Sequence, residues 1–291
     1  MPALAIDKKT AMSTDIIRVP IFPFNMVNAY LLKLAKGVVV VDTGTPGSER
    51  KIERLLGKNG LTFNDVKLIV VTQAHTDHAG GAARLRTLTK APILAHEDDA
   101  DFYSRKEPMT FCPTSAVGKL FYKTPVPHEP YEGCVPDIMM RHGDTFDLGE
   151  YGVEGQVRHT GGHTPGSIAV ELSSQDALVG DLVASGILIG GMGFTGRAIR
   201  PPFEDDPHQV ARELERMVQG GAKRFYMGHG GPLEAREVMR HAKSLASLPS
   251  HSCGSGQCQH AADRSAGGAR LLSESRLRAG ADRSRGGAAR A

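Results

Sequence analysis

The architecture of this chain is decided by the stretch Gln73-Ala74-His75-Thr76-Asp77-His78, which Ala79-Gly80-Gly81 follow directly. The apolar run Leu68–Val71 precedes the stretch and is typical of a buried strand. Two imidazoles and a carboxylate so close together are costly to bury without a partner, and they are also ligands that divalent transition metals take. We therefore predict a turn that leaves a strand, enters a helix and carries metal ligands. The alternative is a polar loop whose histidines bind nothing.

Composition and charge restrict the class of protein. The chain has 291 residues, of which 40% are hydrophobic and 23% charged, as expected for one large α/β domain or two small ones. Residues 251–291 hold seven arginines and three acidic residues. Because the whole chain has a net charge of +3 and this segment contributes +4, the remainder is close to neutral at −1. Bulk charge therefore gives no indication of nucleic-acid binding.

Cysteine content and hydropathy indicate the compartment. Four cysteines in a chain of this length do not make a disulfide framework. The segment Cys253–His260 could be mistaken for a zinc knuckle, but it lacks a fourth ligand nearby. The early residues Asp7-Lys8-Lys9 are not typical of a signal peptide, and no apolar run approaches the roughly 20 residues that a membrane span needs. We expect a soluble, cytoplasmic protein that contacts no membrane.

Predicted strands and helices alternate along most of the chain, which favours a layered α/β fold. An edge strand with two prolines comes first, and a hairpin formed by Asn28–Leu34 and Gly37–Val41 follows. Strands are then expected near residues 65–72, 91–95, 152–159, 167–172, 177–179 and 223–227, and helices near residues 48–57, 80–88, 206–220 and 233–248.

Three segments depart from this alternation. The proline- and aromatic-rich residues 107–136 predict an irregular insertion that lies over a site, although a self-packed surface loop fits the pattern equally well. The glycine-rich residues 186–196 lack the Gly-Lys-Ser/Thr of a phosphate loop. Residues 249–291 are rich in Ala, Gly, Ser and Arg and predict a disordered tail. We therefore expect one domain over residues 1–248.

Further candidate ligands follow other predicted strands. His163, Asp181 and His229 each come after a strand and stand beside glycines. Glycine lets the backbone turn sharply and allows side chains to converge. A single histidine at a strand end is more often a structural hydrogen-bonder than a ligand. The joint occurrence of all these residues after successive strands favours a shared metal site.

With these residues the chain resembles the metallo-β-lactamase fold superfamily over roughly residues 16–248. In that family a His-x-His-x-Asp-His motif follows a strand, and a later His, Asp and His complete a dinuclear site. The resemblance implies an αββα sandwich, two mixed sheets between helices, and an early supporting aspartate, here Asp42. It implies the metal ligands Gln73, His75, Asp77, His78, His163, Asp181 and His229.

Gln73 departs from the family pattern because it replaces the first motif histidine. The resemblance assigns Gln73, His75 and His163 to one metal, and Asp77, His78 and His229 to the other, with Asp181 as the bridge. A glutamine amide is a weaker zinc donor than imidazole. We therefore predict a weakened first site, with one or two Zn²⁺ ions per chain; iron and manganese are alternatives.

The resemblance implies metal-assisted hydrolysis of a small ester, thioester or lactone. Bound metal lowers the pKa of water and supplies a hydroxide that attacks a carbonyl, and Asp77 orients this nucleophile. Asp181 favours the glyoxalase-II-like and lactonase branches over β-lactamases, whereas Ala184 stands where lactonases often carry tyrosine. The alternatives are a β-lactamase of the glutamine-containing subgroup and a degenerate metal or ligand binder. A small acyl molecule is the expected partner, and a homodimer is one open option.

Loop aromatics provide candidates for the walls of a substrate pocket. The insertion at residues 107–136 and the loop at residues 186–203 together carry four such side chains: Phe111, Phe121, Phe194 and Phe203. Aromatic residues in loops of this kind are as often involved in local packing, so the sequence leaves both interpretations open.

Overall fold

The computed structural model describes residues 14–187 and 190–249, and they form two six-stranded mixed sheets and a two-stranded ribbon. The strands of the first sheet run in chain order: β1 Asp15–Pro20, β2 Asn28–Leu34, β3 Gly37–Val41, β4 Val66–Val70, β5 Ile93–His96 and β6 Ile138–Met140. The second sheet contains β7 Thr145–Asp147, β8 Gly155–His159, β9 Ile168–Leu172, β10 Asp176–Leu178, β13 Arg224–Tyr226 and β14 Leu233–Glu234. The ribbon pairs β11 Ala184–Ser185 with β12 Ala198–Ile199.

Seven helices surround or connect these strands within the described residues: α1 Glu49–Lys58, α2 Thr76–Ala79, α3 Ala82–Thr89, α4 Ala100–Tyr103, α5 Ala116–Tyr122, α6 Pro207–Gln219 and α7 Ala235–Ala246. The start of α6 follows from local chemistry, since the Asp206 carboxylate accepts hydrogen bonds from the backbone N–H groups of His208 and Gln209. Pro207 stands at the first turn, where no backbone donor is needed. The predicted helix start at this position is confirmed.

Three hydrophobic layers hold the sandwich together. One lies between α1, α3 and the outer face of the first sheet, and another between α6, α7 and the outer face of the second sheet. The third lies between the two sheets. Every residue of β3 is buried, because this strand is covered on both faces, which explains its unbroken Gly-Val-Val-Val-Val sequence. The predicted αββα architecture is confirmed.

The parallel strands position the site. Strands β3, β4, β5 and β6 are mutually parallel, and β10 is parallel to β13, so their carboxyl ends point the same way within each sheet. The predicted tail lies almost entirely at residues 250–291, outside the described residues, as does the segment Cys253–His260. Over the described ranges, no helix is sufficiently long and apolar to cross a membrane.

Candidate metal centre

All seven predicted ligands lie at strand ends or in the turns that follow them. Gln73 and His75 lie in the turn after β4, and Asp77 and His78 lie in the short helix α2. The remaining three come from the second sheet: His163 after β8, Asp181 after β10 and His229 after β13. The structure brings all seven to one end of the sandwich. We call Gln73, His75 and His163 the first donor set, and Asp77, His78 and His229 the second donor set.

In the first donor set the two imidazoles face each other. His75 Nδ1 lies 3.1 Å from His163 Nε2, and His163 Nε2 lies 3.7 Å from Asp181 Oδ2. Gln73 contacts the same carboxylate, because its Nε2 donates a hydrogen bond of 2.9 Å to Asp181 Oδ2. The amide nitrogen therefore faces the bridging position, where it orients Asp181.

The second donor set surrounds the same oxygen from the other side. Asp181 Oδ2 lies 3.1 Å from His78 Nε2 and 3.2 Å from His229 Nε2. Asp77 Oδ2 is 3.2 Å from His229 Nε2, so this carboxylate also points into the cluster. Asp181 thus contacts members of both donor sets, which is the position predicted for a bridging ligand.

The histidines of the second donor set are held from behind. His78 Nδ1 lies 2.9 Å from Asp42 Oδ2, and Asp42 also accepts hydrogen bonds from the backbone and hydroxyl of Thr72. His229 Nδ1 donates to the carbonyl oxygen of Met26. These contacts place a proton on Nδ1 of each ring and turn Nε2 toward the cluster, an arrangement typical of metal-binding histidines. Asp42 therefore lies directly behind His78, where a supporting residue could orient this ring.

The donor chemistry fits a divalent metal ion. Asp181 Oδ1 and His163 Nδ1 are buried and have no hydrogen-bond partner among the described residues. Asp77, His78, Asp181 and His229 offer donor atoms within 4.8 Å of one another, as do His75, His163 and Asp181. Gly228 makes this convergence feasible, since a Cβ there would lie 2.4 Å from Asp181 Oδ1 and 2.5 Å from His78 Cε1.

Electrostatics differ between the two donor sets. Burial lowers the pKa of His75 to about 4 and that of His163 to about 3. Burial also opposes the charged form of His229, but the Asp181 and Asp77 carboxylates raise its pKa to about 10. His78 is likewise buried, and Asp181, Asp42 and Asp77 raise its pKa well above 6.5. The carboxylates therefore create a field that favours a cation at the second donor set.

Two residues that sequence reasoning missed fix the loops of the site. The buried Asp99 carboxylate accepts hydrogen bonds from the backbone of Ala74 and Gly166 and from the hydroxyl of Thr164. It thereby joins the turn that carries His75 to the loop that carries His163. Tyr131 Oη also donates to the Ala74 carbonyl, at 2.8 Å. The only signal in the sequence was that Asp99 follows a strand within a run of acidic residues.

A cavity of about 320 Å³ opens directly above the donors. Three of the four predicted wall aromatics line it: Phe111, Phe121 and Phe203. The fourth candidate, Phe194, is 81% exposed and is not among the residues that line the cavity. Phe111 stacks on the His75 ring at 4.9 Å between centroids, so one wall also positions a donor. The insertion at residues 107–136 thus covers the site.

Comparison with known proteins identifies the family and the fold. The family model of the metallo-beta-lactamase superfamily matches residues 22–229, a range that begins before β2 and ends at His229. The chain is 28% identical to a metallo-beta-lactamase family protein from Thermus thermophilus, whose crystal structure superposes with a TM-score of 0.56 over 80% of this chain and 78% of that one.

Curated relatives match at similar identity. The chain is 24% identical over 219 residues, 74% of its length, to a hydroxyacylglutathione hydrolase from Alkalilimnicola ehrlichii. It is 26% identical over 240 residues, 79% of its length, to a beta-lactamase-like protein 2 homolog from Caenorhabditis elegans. The matches span 65% and 66% of these two relatives, slightly less than two thirds of their lengths.

Proposed function

Since the chain belongs to the metallo-beta-lactamase superfamily, we propose that it is a metal-dependent hydrolase of a small ester, thioester or lactone. The position of the donors carries this proposal, because members of both donor sets and Asp181 line the cavity, which leaves room beside them for a substrate carbonyl. The relative from Alkalilimnicola ehrlichii is named for hydrolysis of a glutathione thioester, which supports an acyl bond as the target.

We assign the metal to the two donor sets and Asp181. Imidazole and carboxylate donors suit zinc, and we propose one or two zinc ions per chain, with iron or manganese as alternatives. When bound, a divalent ion lowers the pKa of water toward neutrality and polarises a carbonyl oxygen. Gln73 would orient Asp181 through its amide, and Asp42 and Met26 would hold the rings of His78 and His229.

Asp77 is the residue to which we assign proton movement. Its side chain is 24% exposed and lines the cavity, whereas Asp181 is almost fully buried. Burial would raise the pKa of Asp77, but His78 and His229 lower it below 3.8, so the carboxylate stays ionised at neutral pH. An ionised carboxylate at this position can accept a hydrogen bond from the attacking water and orient it.

The proposed reaction is balanced by one water molecule. Its oxygen forms a bond to the acyl carbon, and the bond between the acyl carbon and the leaving oxygen or sulfur breaks. One water proton passes through a carboxylate oxygen of Asp77 to the leaving group, so the products are a carboxylic acid and an alcohol or thiol. A lactone opens to a hydroxy acid by the same step.

Elemental analysis of the purified full chain, paired with a hydrolysis panel, tests the proposal. The panel contains an acetyl ester, an acyl thioester, a lactone and a cephalosporin, each assayed before and after removal of metal by a chelator. We expect bound metal and metal-dependent turnover of an ester, thioester or lactone. Asp77→Asn should weaken metal binding at the second donor set and, in protein saturated with metal, reduce turnover by about 100-fold or more.

Three outcomes would overturn the proposal. Faster turnover of the cephalosporin than of every acyl substrate would assign a β-lactamase. Metal-loaded protein without turnover would assign a binding protein. Turnover that survives the chelator and that Asp77→Asn does not reduce would remove both the metal and Asp77 from the mechanism.

A further inference from the structure

The walls of the cavity above the donors are apolar almost throughout. Phenylalanine, proline, valine and methionine side chains form them, among them Met26, Phe111, Phe121, Val126, Pro201 and Phe203. Its volume of about 320 Å³ lies at the lower end of the range of about 300–1,000 Å³ that small-molecule sites occupy. The cavity is therefore large enough for the organic body of a substrate as well as its reacting carbonyl.

Apart from the metal donors, the described residues that line the cavity offer no counter-ion for a negatively charged substrate group. Apart from the metal donors, Glu129 is the single charged side chain among the described lining residues, and no lysine or arginine lines the walls. A carboxylate moved from water into such surroundings loses its hydration without gaining a partner. Glu129 would also repel it, because both groups are negative.

The apolar wall is assembled before any substrate arrives. The Phe203 ring lies 4.7 Å from Phe111 and 5.8 Å from Phe121, centroid to centroid. The backbone around Phe203 is joined to the insertion, since the Thr114 hydroxyl donates to the Pro201 carbonyl at 2.7 Å and Glu204 N donates to the Cys112 carbonyl at 3.0 Å. Buried Glu204 is further held by Arg200 at 2.7 Å. A preformed apolar wall binds an apolar group without a cost of ordering.

We infer that this cavity takes an uncharged, apolar acyl group, so that the enzyme prefers neutral medium-chain acyl esters, thioesters or lactones over acyl groups that carry a carboxylate. The inference rests on the proposed hydrolase function. Its physical basis is that burial of apolar area against the wall is favourable, whereas a charge buried there gains no partner.

A matched set of three esters with one leaving group tests the inference on metal-loaded enzyme. The esters carry an acetyl group, an octanoyl group, and an octanedioyl group whose far end is a carboxylate. We expect kcat/KM for the octanoyl ester to exceed that for the octanedioyl ester by about 100-fold, and that for the acetyl ester by about tenfold. Equal values for the octanoyl and octanedioyl esters would overturn the inference. Loss of all turnover, including that of the acetyl ester, would instead overturn the hydrolase function.

Two variants, each with a matched control, locate the preference in the wall. Phe121→Ala removes part of the wall and should reduce the octanoyl-to-acetyl ratio about fivefold, whereas Phe194→Ala, outside the cavity, should leave it unchanged. Val126→Lys places a cation at a lining position that is 56% exposed and should raise the octanedioyl-to-octanoyl ratio about tenfold. Val117→Lys makes the same change on α5 outside the lining. Equal shifts in a variant and its control would contradict a role for the cavity wall.

Discussion

The two donor sets of the metal centre share Asp181 but are built on different principles. In the second donor set each ring is backed by an acceptor: Asp42 behind His78, and the Met26 carbonyl behind His229. In the first donor set His163 Nδ1 is buried without a partner among the described residues. His75 is positioned by a phenyl ring, that of Phe111. The rings of the second set are therefore held from behind by hydrogen bonds, whereas the His75 ring is packed against an apolar side chain and its Nδ1 faces His163.

The electrostatic surroundings of the two sets also differ. Carboxylates raise the pKa values of His78 and His229, so this region attracts a positive charge, which is a proton when no metal is bound. Burial dominates at His75 and His163 and lowers their pKa values to about 4 and about 3. With Gln73 as a neutral third member, the first donor set should bind metal more weakly. The comparison teaches that two pairs of buried histidines in one cluster need not make equal sites.

The largest expected effect comes from two separate variants, each of which removes one histidine from one set. His78→Ala should abolish binding of the tighter metal and reduce kcat by more than about 100-fold, because it removes a ligand of the prepared site and leaves the Asp42 carboxylate unpaired. His163→Ala should leave that metal bound. Metal titration of both variants measures the difference, and circular dichroism checks that each is folded. Equal metal loss in the two variants would show that the two sets do not differ in metal affinity.

A smaller effect is expected from the residue behind His78. Asp42→Asn should lower metal affinity by about 10- to 100-fold, since it weakens the acceptor that orients the ring. Asn tolerates the left-handed backbone of this position, where φ is +61°, so the fold should be retained. Asp176→Asn is the control, because this buried carboxylate pairs with Arg224 away from the site. If both variants bind metal as the wild type does, hydrogen-bond backing does not distinguish the two sets.

Gln73→His should increase the metal affinity of the weaker first donor set. An imidazole in place of the amide is expected to raise metal content to about two ions per chain, as in fully ligated dinuclear sites of this ligand type. Gln73→Ala removes the hydrogen bond to Asp181 without adding a ligand and is the matched control. Metal content by elemental analysis would contradict the weak-site hypothesis if Gln73→His and Gln73→Ala hold the same number of ions.

The sequence predicted the donors better than the difference between the two sets. His163, Asp181 and His229 could be found because each follows a strand, and parallel strands end at a common edge. The sequence could not show that Phe111 stacks on His75, or that Asp99 joins the two ligand loops, because both contacts depend on how an irregular insertion and a distant loop pack. The sequence could not separate Phe194 from the three phenylalanines that line the wall for the same reason, since loop composition does not determine which way a side chain points.

A difference expected to affect stability rather than metal binding concerns the acids beside the first donor set. Asp205 lies next to the loop of His163, and its backbone N–H donates to the Gly162 carbonyl at 3.0 Å. Burial, reinforced by Asp99 and Glu204, raises the pKa of Asp205 from 3.8 to about 7. Asp77 and the bridging Asp181 show the opposite behaviour: burial opposes their ionisation, but the neighbouring histidines lower their pKa values.

This contrast gives a pH dependence with a defined sign. Between pH 3.8 and about 7 the unfolded chain loses the Asp205 proton while the folded protein keeps it, so the free energy of unfolding falls as pH rises through this window. Asp205→Asn removes this titration. The free energy of unfolding of the variant, relative to that of the wild type, should therefore increase from about pH 5 to about pH 8, by at most about 4 kcal/mol. Denaturant unfolding in chelator measures this gain, and Asp101→Asn, whose carboxyl is 49% exposed, is the control. A gain of the same size at both pH values would show that Asp205 is ionised in the folded protein, and that the first donor set is not flanked by neutral acids.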